Sequence, residues 1–301
     1  MSSSGAVTRV LVCACVLLLV VVGRAAAQTA PPSSEQTQDE RDLQLKLAEP
    51  DFAIVNLPTT LRLPRRSMNF RLTHRFLANL RQGSFTDHLD DLFGLDNGAI
   101  IALELRFAPI RGLQAIVFRN NLDKTIQFSA QYSALQQGGR WPLSVDGIVS
   151  IEGTNNFRSE VDDDEDGDGH DHSSGAGGHR SPALGAIVSR TVSDRLALYA
   201  TPIWVHHTLA LADSHRDTFF IGIGGRARLT PRVYVVGEVS PRLSGHAPGD
   251  PEFAFGIERR AGGHMFQLTF TNSLAGTYGQ IARGGFPDTI YFGFNMGRKF
   301  F

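Results

Sequence analysis

Cysteine is nearly missing from this chain. Cys13 and Cys15 are the whole complement, and both lie within the apolar run Val10 to Val22. That run is thirteen residues long, short of the roughly 20 that a membrane-crossing helix needs. Arg9 precedes it, and Ala25-Ala26-Ala27 stands just before Gln28. This is the layout of a secretory signal peptide over residues 1–27. A lipoprotein would need its cysteine at the end of the apolar run, and here both come near its start. After processing no thiol, disulfide or Cys-based metal site is left. Export without cysteine suits a bacterial envelope protein.

A basic excess is missing too. Taking Arg9 and Arg24 from the 29 basic residues leaves 27 against 30 acidic ones, a net charge of −3. Nucleic acid is thereby excluded as a partner, since it selects a basic surface. Nor is there a second apolar run long enough for a helical span. A closed barrel is then the remaining way to cross a bilayer, because backbone polar groups must be paired inside lipid. The low overall hydropathy agrees, since only alternate residues of a barrel strand face lipid.

What the chain does contain is period-two alternation, most plainly in Thr289 to Phe301. Ile290, Phe292, Phe294 and Met296 share one face there, and Tyr291, Gly293, Asn295 and Gly297 the other. Such a pattern puts successive side chains on opposite sides of a sheet. An aromatic ending suits the closing strand of an outer-membrane barrel, and Arg298 and Lys299 are expected to leave the hydrocarbon at the periplasmic boundary, where their charges reach water. Eleven more segments alternate: Ser67–Phe76, Ala99–Phe107, Leu113–Arg119, Thr125–Ala134, Leu143–Ile151, Ala183–Arg190, Arg195–Val205, Thr218–Leu229, Arg232–Ser240, Glu252–Arg259 and His264–Asn272. The fold class that follows is all-β: a single transmembrane antiparallel β-barrel of about 12 strands, within a range of 10–14. Residues 28–65 read as a periplasmic linker and approach segment, and residues 66–301 as the barrel. Prolines demote Leu57 to Pro64 from a central strand.

The connections check this independently. Outer loops of such barrels are long and periplasmic turns short, in alternation. Ala78–Gly98, Gly153–Pro182, His206–Asp217, Arg242–Asp250 and Ser273–Asp288 are the long ones, and each follows an odd strand. Only Asn120–Lys124 departs from that rule. Phe85 to Leu95 has the makings of a short helix in the first loop.

Phe70-Arg71-Leu72-Thr73-His74-Arg75-Phe76, Leu92-Phe93-Gly94-Leu95-Asp96, the strand Ile101 to Phe107, and the terminal Phe294-Asn295 with Arg298-Lys299-Phe300 carry a family likeness. From Leu57 onward the chain resembles a bacterial family of outer-membrane-type β-barrels of unknown function. The resemblance implies a barrel in the outer membrane and brings no catalytic residues. The acidic insertion near residue 165 has no place in that family's pattern.

Three features bear on chemistry. Asp162, Asp164, Asp166 and Gly167 match the opening of a calcium loop, but Ser173 stands where the bidentate Glu belongs. With His170 and His172 they form a candidate divalent-cation site in loop 160–180; the same composition suits a solvated acidic loop. Nine of ten histidines (His74, His88, His170, His172, His179, His206, His207, His215 and His246) fall at the outer end, where they would form a metal-capturing rim or only tolerated loop residues. Arg71, Arg75, Glu104, Arg106, Arg226, Arg228, Glu238 and Glu258 carry inward parity, with Gln127, Gln131 and Gln267. On the lipid face, Arg or Lys at mid-depth would cost about 2–4 kcal/mol. Inside, these residues either line a water-filled pore or pair into a network that fills the barrel.

Gly222, Gly224, Gly225 and Ala227 imitate a dinucleotide fingerprint, yet they lie inside a strand with no helix to hold a phosphate. Their role is to let the sheet bend or a neighbour approach. The leading reading is passage of small solutes, with outer-membrane lipids and the barrel-assembly machinery as partners and no required cofactor. A metal- or ligand-binding barrel using loop 160–180 is the binding alternative. An outer-membrane lipid hydrolase is the enzymatic one, for which the chain offers no serine elbow.

Overall fold

Strands form where the alternation runs. The computed structural model describes residues 47–90, 98–158, 179–208, 216–245 and 249–300. Among the described residues the first six strands are β1 (Met68–Asn79), β2 (Ala99–Phe107), β3 (Leu113–Asn120), β4 (Ile126–Leu135), β5 (Ser144–Gly153) and β6 (Arg180–Ser193). Then come β7 (Leu196–Thr208), β8 (Arg216–Thr230), β9 (Val233–Ser240), β10 (Glu252–Ala261), β11 (His264–Thr271) and β12 (Tyr291–Phe300). A short piece, Arg242–Ser244, carries β9 onward along β8. Pro241 separates the two pieces, because its nitrogen has no hydrogen to give to the ladder.

Neighbours in the chain pair antiparallel, and β12 pairs with β1, so the sheet closes into a twelve-strand barrel. At the seam Met68 stands opposite Phe300, Leu72 opposite Met296 and His74 opposite Phe294. Closure removes both sheet edges and pairs their backbone groups. The expected architecture is the observed one, and Ala99–Phe107 has the expected bounds.

The barrel is inverted relative to a water-soluble one. On β2, Leu103, Leu105 and Phe107 are exposed on the outside, while Arg106 between them is buried. On β10, Phe255 and Ile257 face out, and Glu252 and Glu258 are fully buried. The outer surface thus forms an apolar band suited to lipid, and polar side chains turn inward. Tight connections gather at one end: Asp194-Arg195, Pro231-Arg232 and Gly262-Gly263. Gly262 takes φ +59, which the two-residue hairpin there requires. At the other end the first connection holds α1 (Phe85–Asp90), and the β11–β12 connection holds α2 (Tyr278–Ala282). Thr86, Asp87 and Asp90 of α1 are exposed, so this helix stays out of the lumen. The remainder of the expected Phe85–Leu95 helix lies outside the described residues.

Candidate functional site

Residues 48–63 were expected to approach the barrel from the periplasm. In the structure they run inside it: Phe52, Ile54, Val55, Leu57, Leu61 and Leu63 are all buried. This strap turns back on itself between Phe52 and Thr59. Ile54 N–H donates to Leu57 O at 2.8 Å, and Thr59 N–H to Phe52 O at 2.9 Å. A chain inside a lumen must find partners for its remaining backbone groups, and the barrel wall supplies them.

The Glu238 carboxylate accepts three consecutive N–H groups of the turn, from Val55 at 3.0 Å, Asn56 at 2.7 Å and Leu57 at 3.1 Å. On the carbonyl side, Arg226 donates to Ala53 O at 2.6 Å, Gln267 to Ile54 O at 2.6 Å and Arg71 to Val55 O at 2.5 Å. Further along, Gln131 donates to Thr59 O at 2.9 Å and Gln114 to Leu61 O at 3.2 Å. The Asn56 side chain donates to Glu252 at 2.9 Å and accepts from Arg75 at 3.3 Å. Most of these contacts read the strap's backbone and leave its side chains unread.

The wall charges are cross-braced behind the strap. Arg226 makes a two-pronged pair with Glu258, at 2.7 and 2.8 Å, with both side chains fully buried. Arg106 donates to Gln131 at 2.9 Å and pairs with Glu104 at 3.2 Å. Gln131 in turn donates to Asp146 at 2.7 Å, and Arg75 to Asn295 at 2.9 Å.

Apolar strap residues pack on the same stretch of wall, beside Glu238 and Arg226. A Cβ built on Gly222 would fall 2.6 Å from Leu57 Cδ1, and one on Gly224 2.5 Å from Ile54 Cδ1. Gly222 and Gly224 of the apparent fingerprint therefore make room for the strap, a close approach by a neighbour. Around them Ile148, Ile187, Tyr199, Ile203 and Phe220 complete one buried cluster with Ile54 and Leu57. Phe52 sits between two cations, with the Arg106 guanidinium 5.3 Å and Lys299 Nζ 4.9 Å from its ring centre.

Lys299 is a correction to the reading of the terminal strand. It was expected to leave the hydrocarbon and reach water beside Arg298. Arg298 does lie outside, over the Phe300 ring at 5.0 Å. Lys299 shares the parity of Asn295, so it points inward and donates to Pro50 O at 2.5 Å.

The β11–β12 loop fills the lumen from the other end. All five residues of α2 are buried. Thr277 caps the helix: its hydroxyl accepts from Gln280 N–H, and the Gln280 side chain accepts from Thr277 N–H, a reciprocal box. Its first N–H groups go to the wall, Tyr278 to Gln127 at 2.9 Å and Gly279 to Glu152 at 2.9 Å. Gln280 also accepts from Asn120 at 2.8 Å. Gly279 lies against the Glu152 carboxylate too closely for a Cβ. Burial raises the Tyr278 hydroxyl pKa well above the usual phenol value. Ala275, Tyr278, Ile281 and Ala282 join the same apolar cluster as the strap. Between strap and loop a cavity of about 20 Å³ is lined by Asn56, Glu104, Arg106, Gln127 and Tyr278. That is room for one water-sized molecule.

Six of the eight residues assigned to the lumen (Arg71, Arg75, Arg106, Arg226, Glu238 and Glu258) are buried, and Glu104 and Arg228 are half-buried. The strap brings together Arg71, Arg75, Arg226, Glu238 and Glu258, while Arg106 and Glu104 form a separate group beside the cavity. Sequence reasoning passed over Asn56, Asp146, Glu152 and Glu252. The last three share inward parity with residues it did name or with their strand neighbours, a signal that was readable. Asp162, Asp164, Asp166, His170 and His172, the candidate cation loop, lie outside the described residues. At the outer rim, His206, His207 and Asp217 do come together, with ligand atoms within 4.8 Å of one another.

A family model described as a membrane bound beta barrel domain (DUF5777) matches residues 51–300. Solved structures with a similar course include the NanC porin, at 10% identity and TM-score 0.46, covering 78% of this chain and 99% of that one. The KdgM porin aligns at 8% identity and TM-score 0.43, over 78% of this chain and 98% of its own. The outer membrane protein Omp33 of Acinetobacter baumannii aligns at 9% identity and TM-score 0.38, over 80% and 100%. No curated protein matches the chain.

Proposed function

The chain belongs to the family of membrane-bound β-barrel domains, and from that premise we propose that it passes small polar solutes across the outer membrane when the strap yields its place in the lumen. The observation that carries this reading is the way the strap is held. Val55, Asn56 and Leu57 offer N–H groups to Glu238, and Ala53, Ile54 and Val55 offer carbonyls to Arg226, Gln267 and Arg71. A polar solute carrying donors and acceptors satisfies the same wall groups, so strap and solute exchange without stranding a buried charge. Arg71, Arg75, Arg226, Glu238 and Glu258 then line the path, and Arg106 with Glu104 its margin. Lipid surrounds the apolar band, and the barrel-assembly machinery inserts the chain.

A lock on the strap tests the proposal. Leu57→Cys with Gly222→Cys places two thiols where the leucine side chain now meets the glycine. The expected result is single-channel steps in a planar bilayer for the reduced protein and their loss on oxidation. Folded, reduced protein without steps overturns the passage reading. Steps that survive a completed disulfide overturn the role of the strap.

A further inference from the structure

We infer that His206, His207 and Asp217 form a binding site for one divalent transition-metal ion at the outer rim of the barrel, a site independent of loop 160–180 and of the lumen. The pairing of β7 with β8 carries a defect at this rim. Val205 of β7 stands opposite Thr218 of β8, and Thr208 stands opposite Arg216. Three steps along β7 therefore match two along β8, which is a bulge carrying one extra residue. In regular pairing His206 and His207 would point to opposite faces of the sheet. Here His207 takes φ +50, in the left-handed region, and the two imidazoles lie on the same side, centroids 3.7 Å apart.

The bulge is pinned on both flanks. Asp217 Oδ1 accepts from His207 N–H at 3.1 Å and lies 2.8 Å from His206 Nδ1. On the β6 side Ser181 Oγ donates to His207 O at 2.8 Å and lies 2.9 Å from His179 Nε2. The bulge is not needed to close the barrel, because the β7–β8 ladder runs unbroken from Leu196 to Val205. The bulge instead re-aims a histidine that a regular strand would have turned away, and places it with another histidine and a carboxylate.

The donor set selects the ligand. Two imidazole nitrogens and one carboxylate oxygen suit a borderline cation, Zn2+, Ni2+ or Cu2+, with water completing the shell. An oxygen-only site would have suited Ca2+ or Mg2+ instead. The half-buried His206 and the exposed His207 and Asp217 leave the site open to the medium.

The test uses the folded, chelator-washed full-length protein in detergent, titrated with Zn2+ by calorimetry, with Cu2+ electron paramagnetic resonance as a second readout. One Zn2+ per chain is expected, along with a Cu2+ spectrum split by two nitrogens. His206→Ala and His207→Ala should each weaken the Zn2+ step by tenfold or more. Deleting residues 160–178 should leave that step in place. Heat-dependent mobility on a gel identifies a variant that has not folded, and His206→Gln with His207→Gln then replaces it. The proposal is overturned by an absent step, by a step unchanged in the folded double variant, or by a step that disappears with residues 160–178 while both histidines remain.

Discussion

The strap and the β11–β12 loop both fill the lumen and both bond to its wall, but they differ in how much order each carries itself. The loop is anchored at both ends, by β11 and β12, and carries its own hydrogen-bonded order in the Thr277–Gln280 box. The strap is anchored to the barrel on its Ser67 side, and its order comes from the wall: Glu238, Arg226, Gln267 and Arg71 fix its backbone. A segment organised from within keeps its shape wherever it goes. A segment organised by its partners loses that shape as soon as other ligands take them. On the proposed reading the loop is the permanent narrowing, and the strap is the exchangeable one.

Trypsin reports on the two separately, since Arg62 lies in the strap and Arg283 in the loop, both half-buried. The largest effect is expected from Glu258→Ala, which strands Arg226 where both side chains were fully buried. Loss of one partner of a buried pair costs about 3–5 kcal/mol. Cleavage at Arg62 and the thermal midpoint should both change, with Arg283 still protected. Equal acceleration at both sites would break the distinction.

A middling effect is expected from Gly222→Leu. The new side chain takes the space of Leu57, and overpacking of that kind costs about 1–3 kcal/mol. Because most of the strap's hydrogen bonds run to the wall, it should leave, giving faster cleavage at Arg62 and a larger conductance than wild type. Unchanged cleavage at Arg62 would mean that the wall gives way instead.

The smallest effect belongs to the loop. Thr277→Ala removes the cap of α2 at a cost of about 1 kcal/mol. It should raise cleavage at Arg283 modestly and leave Arg62 as it was. A release of the strap in this variant would show that the two fillings are one cooperative unit.

Much of the barrel was legible in the chain, and the reason is local. Leu103, Leu105 and Phe107 alternate with Ala102, Glu104 and Arg106 whatever lies across the sheet, so the face of each residue can be read from parity. The connections were readable because turn chemistry is also local, as at Gly262-Gly263. The strap was not readable. Ala53 to Leu63, with Pro58 at its middle, looks the same as an extended linker, and its partner Glu238 lies 183 positions from Val55. The one available hint was the density of Phe52, Ile54, Val55 and Leu57 in a stretch assigned to water. The inward course of Ser273 to Gly285 was hidden for the same reason: a long loop has the same sequence whether it folds out or in. Lys299 shows both sides of this. Its inward parity was there to be read, but its partner Pro50 O belongs to a segment whose position nothing local announces.

Wall and strap separate what each level decides. Alternation and turn residues determine a barrel of about twelve strands with an apolar exterior, because these depend on which way a side chain points from its own strand. Whether the lumen is open, and what stands in it, is decided only when distant segments meet. The Arg and Glu residues inside are compatible with water or with a peptide, since both offer donors and acceptors. The tertiary structure chose the peptide through two empty Cβ positions, at Gly222 and Gly224, and one carboxylate, Glu238, aimed at three successive N–H groups.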